Sequence, residues 1–573
     1  MARLVTKRVH RETLTSITAS IRPDMSHKSL AAMVGFGVTI FRINFSWFEK
    51  APKEKWIATI ENIGKIANSL ELVLGIMLDT RGPEFRVHRL AEGSATLEET
   101  YRTGYVYKRG SKILLTLNQA AKTDEHTIAV QAPAGTRFGK LSSDKRVVFC
   151  DGDYEAKIVS YHQGEESMAI MPTSQLRVWD LAKVNFPGTA VTAKALSEDD
   201  MKTISFFVEQ AGKRLDKRVQ LMFAQSFVKS VEDVDRLRHF LEDNFKLENP
   251  IIIAKLETFE SVQTNNLKKI IDQSTAVMIA RGDLANETSR QEVPQLQREI
   301  VRVAKEAKKV VPVLLATQVY ASMADEQIMN CTRPEAEDVR SALELGIDGF
   351  VLTGETTNRP KNPQVVVRAL ANQIKNDERK LIESNHYEKL REPVRKKFHD
   401  EMKERMLDPN FQLDDQRWYG TQDFAIAAVF RANAYRAIGL FPFTMGGGTV
   451  REMSRFYPET EIYALTPSPE TAQVSLLHRC THPILIEIAE NELLNFNLDS
   501  FKNLVREVVE ELTLRERVVD GLSLRGGKPN TKYAIGTMAH PPLQLGGTDT
   551  LLRIRIDDFP SRSKRSGRKT ANN

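Results

Sequence analysis

The chain is poor in cysteine and in long apolar runs, and it carries little net charge outside one short segment. Each shortage closes off a class of protein. Three cysteines in 573 residues, Cys150, Cys331 and Cys480, stand far apart. They form neither a disulfide framework nor a zinc-ligand pattern, and they suit a reducing compartment. No apolar run reaches the roughly 18 residues that a membrane span needs, so no membrane partner is expected. The opening "MARLVTKRVHRETLTS" is basic but lacks the apolar stretch of a secretory signal, and the expected location is the cytoplasm. The formal charge is +6, and Arg562, Lys564, Arg565, Arg568 and Lys569 supply five of it. The folded body is therefore nearly neutral, which argues against a nucleic-acid partner, and residues 559–573 read as a solvated basic tail.

What is present is a globular composition, 41% hydrophobic and 27% charged, on a chain too long for one core. Short apolar, β-branched runs recur: "TSITASI", "VTIFRINF", "LVLGIMLD", then "VQLMFAQSF", "IIIAKLE", "AVMIAR", "VVPVLLAT" and "DGFVLTG". Amphipathic stretches such as "SEDDMKTISFFVEQAG" lie between them. Eight strands with helical crossovers predict a parallel (β/α)8 TIM barrel built from 1–86 and 182–385; a doubly wound open sheet is the alternative. Residues 87–181 alternate in short runs ("KILLTL", "RVVFCDGDYEAKIV") and predict a small inserted β-barrel. A charged helical connector is expected over 386–417. Residues 418–558 alternate strands and helices, as in an α/β domain.

In such a barrel, chemistry gathers at the C-terminal ends of the strands. Arg42 and Asn44 end the second strand, Asp79 and Thr80 the third, Lys255 and Glu257 the fifth. Arg281, Gly282 and Asp283 end the sixth, Thr317 and Gln318 the seventh. A lysine and a carboxylate two apart on one strand face the same side. Taken alone, that pair reads as a salt bridge; polar ends on most strands of one barrel point to a site. Glu257 and Asp283 suit Mg²⁺, which takes one or two carboxylates plus substrate oxygens. Arg42 offers a forked donor for phosphate or carboxylate, and Gly282 permits close approach of a substrate. A cation, lysine and arginine without a protein nucleophile indicate phosphoryl transfer. Asn44, Ser46, Asp79 and Thr80 are hard oxygen donors with one negative charge. They fit K⁺, or they satisfy loop amides.

The motifs "FRINFS", "LDTRGPEFR", "VNFPGTAV", "IIAKLET", "IARGDL", "LLATQ", "TRPEAEDV" and "VLTGET" resemble, in order and rough spacing, those of the pyruvate kinase family. The resemblance covers about residues 14–380, and more faintly continues to about 556. It implies a barrel with a lid domain and a C-terminal α/β domain, and transfer of the phosphenolpyruvate phosphoryl group to ADP in glycolysis. By that resemblance Arg42 would hold the phosphate, Lys255 the phosphoryl group in flight, and Gly282, Asp283 and Thr317 the substrate carboxylate, with Thr317 near the proton relay. Glu257 and Asp283 would hold Mg²⁺; Asn44, Ser46, Asp79 and Thr80 would hold K⁺, with Glu84 matching K⁺-dependent members. Asn44, Arg86 and Lys183 are the candidates at the ADP/ATP end. A homo-oligomer, a tetramer by kinship, is expected.

The departures cluster. "NFSWF" puts Trp47 and Phe48 where the family has His–Gly, and "SIRPDM" puts Arg22 at a glycine position. "AKVNFPG" puts Ala182 at the usual nucleotide lysine, with Lys183 one residue later and so on the opposite face of an extended segment. The substrate and metal end is intact and the nucleotide end altered. An active kinase is the leading reading; a weakly active or non-catalytic paralogue that binds phosphoenolpyruvate as a regulator is the alternative. The loop "FTMGGGTV" at 443–450 reads as a phosphate cradle at a helix start or as a simple turn.

Overall fold

A computed structural model describes residues 3–6, 13–23, 25–92, 94–97, 102–132, 136, 145–162, 166–187, 194–357, 362–406, 413–513, 533–539 and 550–555. The basic tail lies outside these residues. Eight strands close a parallel barrel: β1 (Ser16–Ser20), β2 (Val38–Asn44), β3 (Leu74–Asp79), β4 (Val219–Gln225), β5 (Ile252–Leu256), β6 (Ala276–Ala280), β7 (Val313–Ala316) and β8 (Gly349–Leu352). β8 pairs in parallel with β1, which completes the ring. The strands are apolar on both faces because each is covered by helices outside and by packed side chains within, and β3, β5 and β6 are buried at every position. The parallel barrel expected from the eight runs is therefore present, and the open sheet is excluded.

Local signals place the crossover helices. Ser197 and Asp200 form a capping box at the start of the helix Glu198–Arg214. Thr332 and Glu335 do the same for Arg333–Leu345, which ends on Gly346 in the left-handed conformation.

Between β3 and β4 the chain leaves to build a second, seven-stranded closed barrel, mostly antiparallel. Its core is separate, and it runs from Phe85 to Phe186. Strands Phe85–Val87 and Lys183–Asn185 pair at its neck, with Arg86 opposite Lys183. The third core belongs to a six-stranded sheet. Four of its strands, Leu440–Pro442, Ile462–Thr466, Thr481–Glu487 and Tyr533–Met538, are parallel, and Thr550–Arg555 adds an antiparallel edge.

Two features differ from the sequence reading. Arg3–Leu4, read as part of the barrel segment, pairs with the C-terminal sheet at Glu487 and Ile486. The charged stretch from 386 is a helix (His386–Met406) docked at its start rather than wholly solvated: Tyr387 is buried, and Arg391 donates to the Phe456 and Tyr457 carbonyls at 2.8 and 2.9 Å. At the glycine-rich loop, Gly447 (φ 75°) caps the helix Gly448–Arg455 and donates to Thr444 Oγ1 at 2.9 Å. No described helix is long and apolar enough to cross a membrane.

Candidate active site

The mouth of the barrel is organised around one buried lysine. Lys255, last but one in β5, is 8% exposed. Its Nζ donates to Ser226 Oγ at 2.6 Å and lies 3.2 Å from Asp79 and 3.3 Å from Glu257. Burial pushes the ammonium down, but Asp79 and then Glu257 outweigh it, so Lys255 is held above the ordinary lysine value. Asp79 is fully enclosed, and burial works upward on it. Arg42 and Lys255 together prevail and keep its carboxyl below the usual range.

Arg42 is buried beside Asp79. Nε donates to Asp79 at 2.6 Å and Nη1 to Ser20 Oγ at 2.7 Å. Nη2 has no hydrogen bond among the described residues, so one arm of the fork stays open.

Glu257 Oε1 accepts from Phe227 N at 2.7 Å. Oε2 is buried and accepts no hydrogen bond among the described residues; its neighbour is Lys255 Nζ. Burial pushes the Glu257 carboxyl up, and Asp283 adds to this against the pull of Lys255. Asp283 is acted on by burial too, but Lys183 overcomes it and holds the carboxyl low. Lys183 forms an ion pair with Asp283 Oδ1. A buried carboxylate oxygen whose only neighbouring cation among the described residues is an ammonium 3.3 Å away, with a second carboxylate acting on it, has the donor chemistry that a hard divalent cation takes.

The proposed K⁺ set is contiguous, since Asn44 and Asp79 are cross-strand partners. Asn44 Oδ1 accepts from Ser46 N at 2.9 Å, and Thr80 Oγ1 accepts from Ser226 N at 2.9 Å. Both thus satisfy loop amides. Ser46 Oγ has no described partner, while both Asp79 oxygens are engaged, Oδ2 by Arg42 and Oδ1 by Lys255 and Ser226.

On the far side, Thr317 and Gln318 after β7 both take positive φ, 64° and 55°. This is strained for a β-branched residue. Gly282 N donates to Thr317 Oγ1 at 2.8 Å, and Arg281 Nη2 donates to Thr317 O at 2.9 Å. Arg281 is itself fixed by both oxygens of Asp338, at 2.7 and 2.6 Å. Gly282 also leaves its surroundings open, the Thr317 side chain being nearest.

At the neck of the inserted barrel, Ala182 points into that barrel's core, 2% exposed, while Lys183 faces the mouth. The alternation along the strand holds, and the charged member is the one turned to the site. Arg86 pairs with Glu84 at 2.9 Å and donates to Leu181 O at 2.8 Å. Of the two departures beside the nucleotide end, Phe48 packs against Trp56, Phe206 and Phe207, and Trp47 is exposed with Lys50 over its ring.

The site has three participants absent from the sequence reading. Ser226, just beyond β4, joins Lys255, Asp79 (3.2 Å) and the Thr80 carbonyl (2.6 Å). Its signal was the polar end of "VQLMFAQSF". Asp200 accepts from Arg81 N and Gly82 N at 2.8 and 3.1 Å, fixing the turn after Asp79 and Thr80; the "SEDD" cap was its only trace. Asp338, within "TRPEAEDV", anchors Arg281.

Comparison with known families agrees with this arrangement. The family model described as pyruvate kinase, barrel domain, matches residues 12–365, and that described as pyruvate kinase, alpha/beta domain, matches 422–551. A pyruvate kinase of Staphylococcus aureus (strain MRSA252) is 27% identical over 466 residues, spanning 80% of this chain and 69% of the relative. One from Staphylococcus epidermidis (strain ATCC 35984) is 27% identical over 476 residues, spanning 82% and 72%.

Proposed function

The chain belongs to the pyruvate kinase family, and from that premise we propose that it transfers the phosphoryl group of phosphoenolpyruvate to ADP, giving pyruvate and ATP. The observation that carries the proposal is Lys255, buried and kept charged between Asp79 and Glu257 with Ser226 fixing its Nζ. In the transfer, the bond from phosphorus to the enol oxygen breaks and a bond to a terminal ADP oxygen forms. The enolate left behind takes a proton at its terminal carbon and becomes pyruvate. Charge moves without a covalent enzyme intermediate, so positioning and fixed cations do the work. Lys255 stabilises the phosphoryl group between donor and acceptor. The free arm of Arg42 binds the substrate phosphate. The helix start at Gly282 and Asp283, with Thr317, receives the substrate carboxylate, and Thr317 lies on the proton's route. Arg86 and Lys183, cross-strand partners at the lid's neck, meet the ADP phosphates.

Mg²⁺ held by Glu257 and Asp283 would supply charge neutralisation of phosphate and enolate oxygens. K⁺ at Asn44, Ser46, Asp79 and Thr80 would add one further positive charge. A cytoplasmic homotetramer is proposed on kinship alone.

A second reading is a weakly active or non-catalytic paralogue that binds phosphoenolpyruvate. Ala182, uncharged and buried at the position of the family's nucleotide lysine, favours it. Pyruvate formation from phosphoenolpyruvate and several nucleoside diphosphates, with Mg²⁺ and with or without K⁺, separates the two. Turnover supports the kinase, and Lys183→Ala then raises KM for the nucleotide more than for phosphoenolpyruvate. Absence of turnover in folded protein that binds phosphoenolpyruvate supports the paralogue.

A further inference from the structure

The inserted barrel meets the catalytic barrel at more than its neck. Its strand Arg146–Phe149 runs into a tight turn, Cys150–Gly152, in which Cys150 and Gly152 both take positive φ, 57° and 96°. That turn packs on the helix Arg281–Glu287, which opens with Gly282 and Asp283 at the barrel mouth. The approach is close. A Cβ at position 152 would stand 2.7 Å from Asn286 Oδ1 and 3.2 Å from Arg290 Nη2, so a side chain there would hold the turn and the helix apart.

Arg146 makes the contact polar. Its Nη2 donates to the Thr288 carbonyl, and its Nη1 to Glu155 Oε2 at 3.1 Å. Thr288 closes the helix, its N and Oγ1 both donating to Leu284 O, at 2.9 and 2.7 Å. Leu284, the residue after Asp283, is fully buried in the core of the catalytic barrel. Two further residues of the lid's neck reach the same helix. Lys183 pairs with Asp283, and the Asn185 side chain is hydrogen-bonded to Glu287. At its start the helix is tied to the barrel, by Gly282 N to Thr317 Oγ1 and by Arg281 to Asp338. Seven residues of helix span about 10 Å, too short a rod for one end to shift independently of the other.

We propose that Arg146, a residue of the lid, is a positioning residue for the phosphoenolpyruvate half of the site: by holding Thr288 it fixes the far end of the helix whose start receives the substrate carboxylate, which rests on the placement of phosphoenolpyruvate at Gly282, Asp283 and Thr317. With the lid off the helix, the start leaves its binding geometry, and affinity falls in proportion to the competent population that is lost.

The test is calorimetric titration of the full chain with phosphoenolpyruvate and Mg²⁺, beside hydrogen exchange over residues 281–288 without ligand, in wild type, Arg146→Ala, Arg146→Lys and Glu155→Gln. Losing one hydrogen bond between lid and helix weakens binding about fivefold to tenfold in Arg146→Ala and speeds exchange over 281–288. Arg146→Lys, which keeps a donor for the carbonyl, restores both. Glu155→Gln removes only the charged partner inside the lid and behaves as wild type; a role confined to the lid's own stability would make it resemble Arg146→Ala. Unchanged exchange in Arg146→Ala, or equal weakening in Glu155→Gln, overturns the proposal. Faster exchange with unchanged binding overturns it too and leaves the kinase reading intact, whereas a wild type that binds no phosphoenolpyruvate overturns that reading and the role of Arg146 together.

Discussion

Asp200 is the most exacting place to test how the barrel mouth is built. It sits in the first turn of the helix that follows the inserted barrel, yet its carboxylate holds the turn that leads into that barrel. Both oxygens are committed: to Arg81 N (2.8 Å), Gly82 N (3.1 Å), Ser197 Oγ (2.7 Å) and Ser197 N (3.3 Å). Asp200→Ala strips two loop amides of their acceptor and removes half of a capping box. A buried donor left unpaired costs about 1–3 kcal/mol, and a lost cap about 1 kcal/mol. The loss is therefore about 3–7 kcal/mol, with water entry into the turn setting the lower end. Asp200→Asn keeps one acceptor oxygen and loses roughly half as much. At roughly 2 °C per kcal/mol for a unit of this size, Asp200→Ala lowers the melting temperature of the barrel transition by about 6–14 °C. Differential scanning calorimetry reads this directly, with the first transition followed because a chain with three cores does not unfold in two states. The same turn carries Asp79 and Thr80, so kcat/KM for phosphoenolpyruvate falls as well. A melting temperature within 1 °C of wild type for Asp200→Ala refutes the reasoning.

Two further expectations follow from buried charge. Lys305 donates to Asp348 Oδ2 at 2.6 Å, both side chains being almost wholly enclosed; Lys305→Met strands the carboxylate and destabilises by about 3–5 kcal/mol in urea unfolding, whereas a loss below 1 kcal/mol contradicts the pairing. Glu287, in the cleft lined by Lys183 and Asn185, has its carboxyl pushed up to about 7 by burial and then by Glu260. The native state then binds a proton that the unfolded chain releases near the ordinary glutamate value, so stability present at low pH is lost as pH rises through 7. Glu287→Gln flattens the stability profile between about pH 5 and pH 8, and an unchanged slope sinks the assignment.

Much of this was legible because periodicity and strand-end chemistry are local. Runs such as "IIIAKLE" announce both a doubly buried strand and its polar exit, and Lys255 and Glu257 fall where that exit predicts. What escaped is non-local. Ser226 reads as an ordinary strand end until the ring closes and brings β3, β4 and β5 side by side. Asp200 reads as a helix cap, and its bonds to residues 81 and 82 cross the whole inserted barrel. The pairing of Arg3–Leu4 with a strand near residue 487 carries no sequence signal at two residues' length. Lys183 shows the limit of alternation: period two separates Ala182 from Lys183, but only the pairing at the neck decides which of them faces the mouth.

The most direct test of the central claim is the rate of pyruvate formation by Lys255→Met beside wild type, with phosphoenolpyruvate binding measured in both. If Lys255 stabilises the phosphoryl group in flight, kcat falls by on the order of 10²–10³-fold or more while the folded variant still binds phosphoenolpyruvate. A variant that turns over at a rate close to wild type contradicts the account.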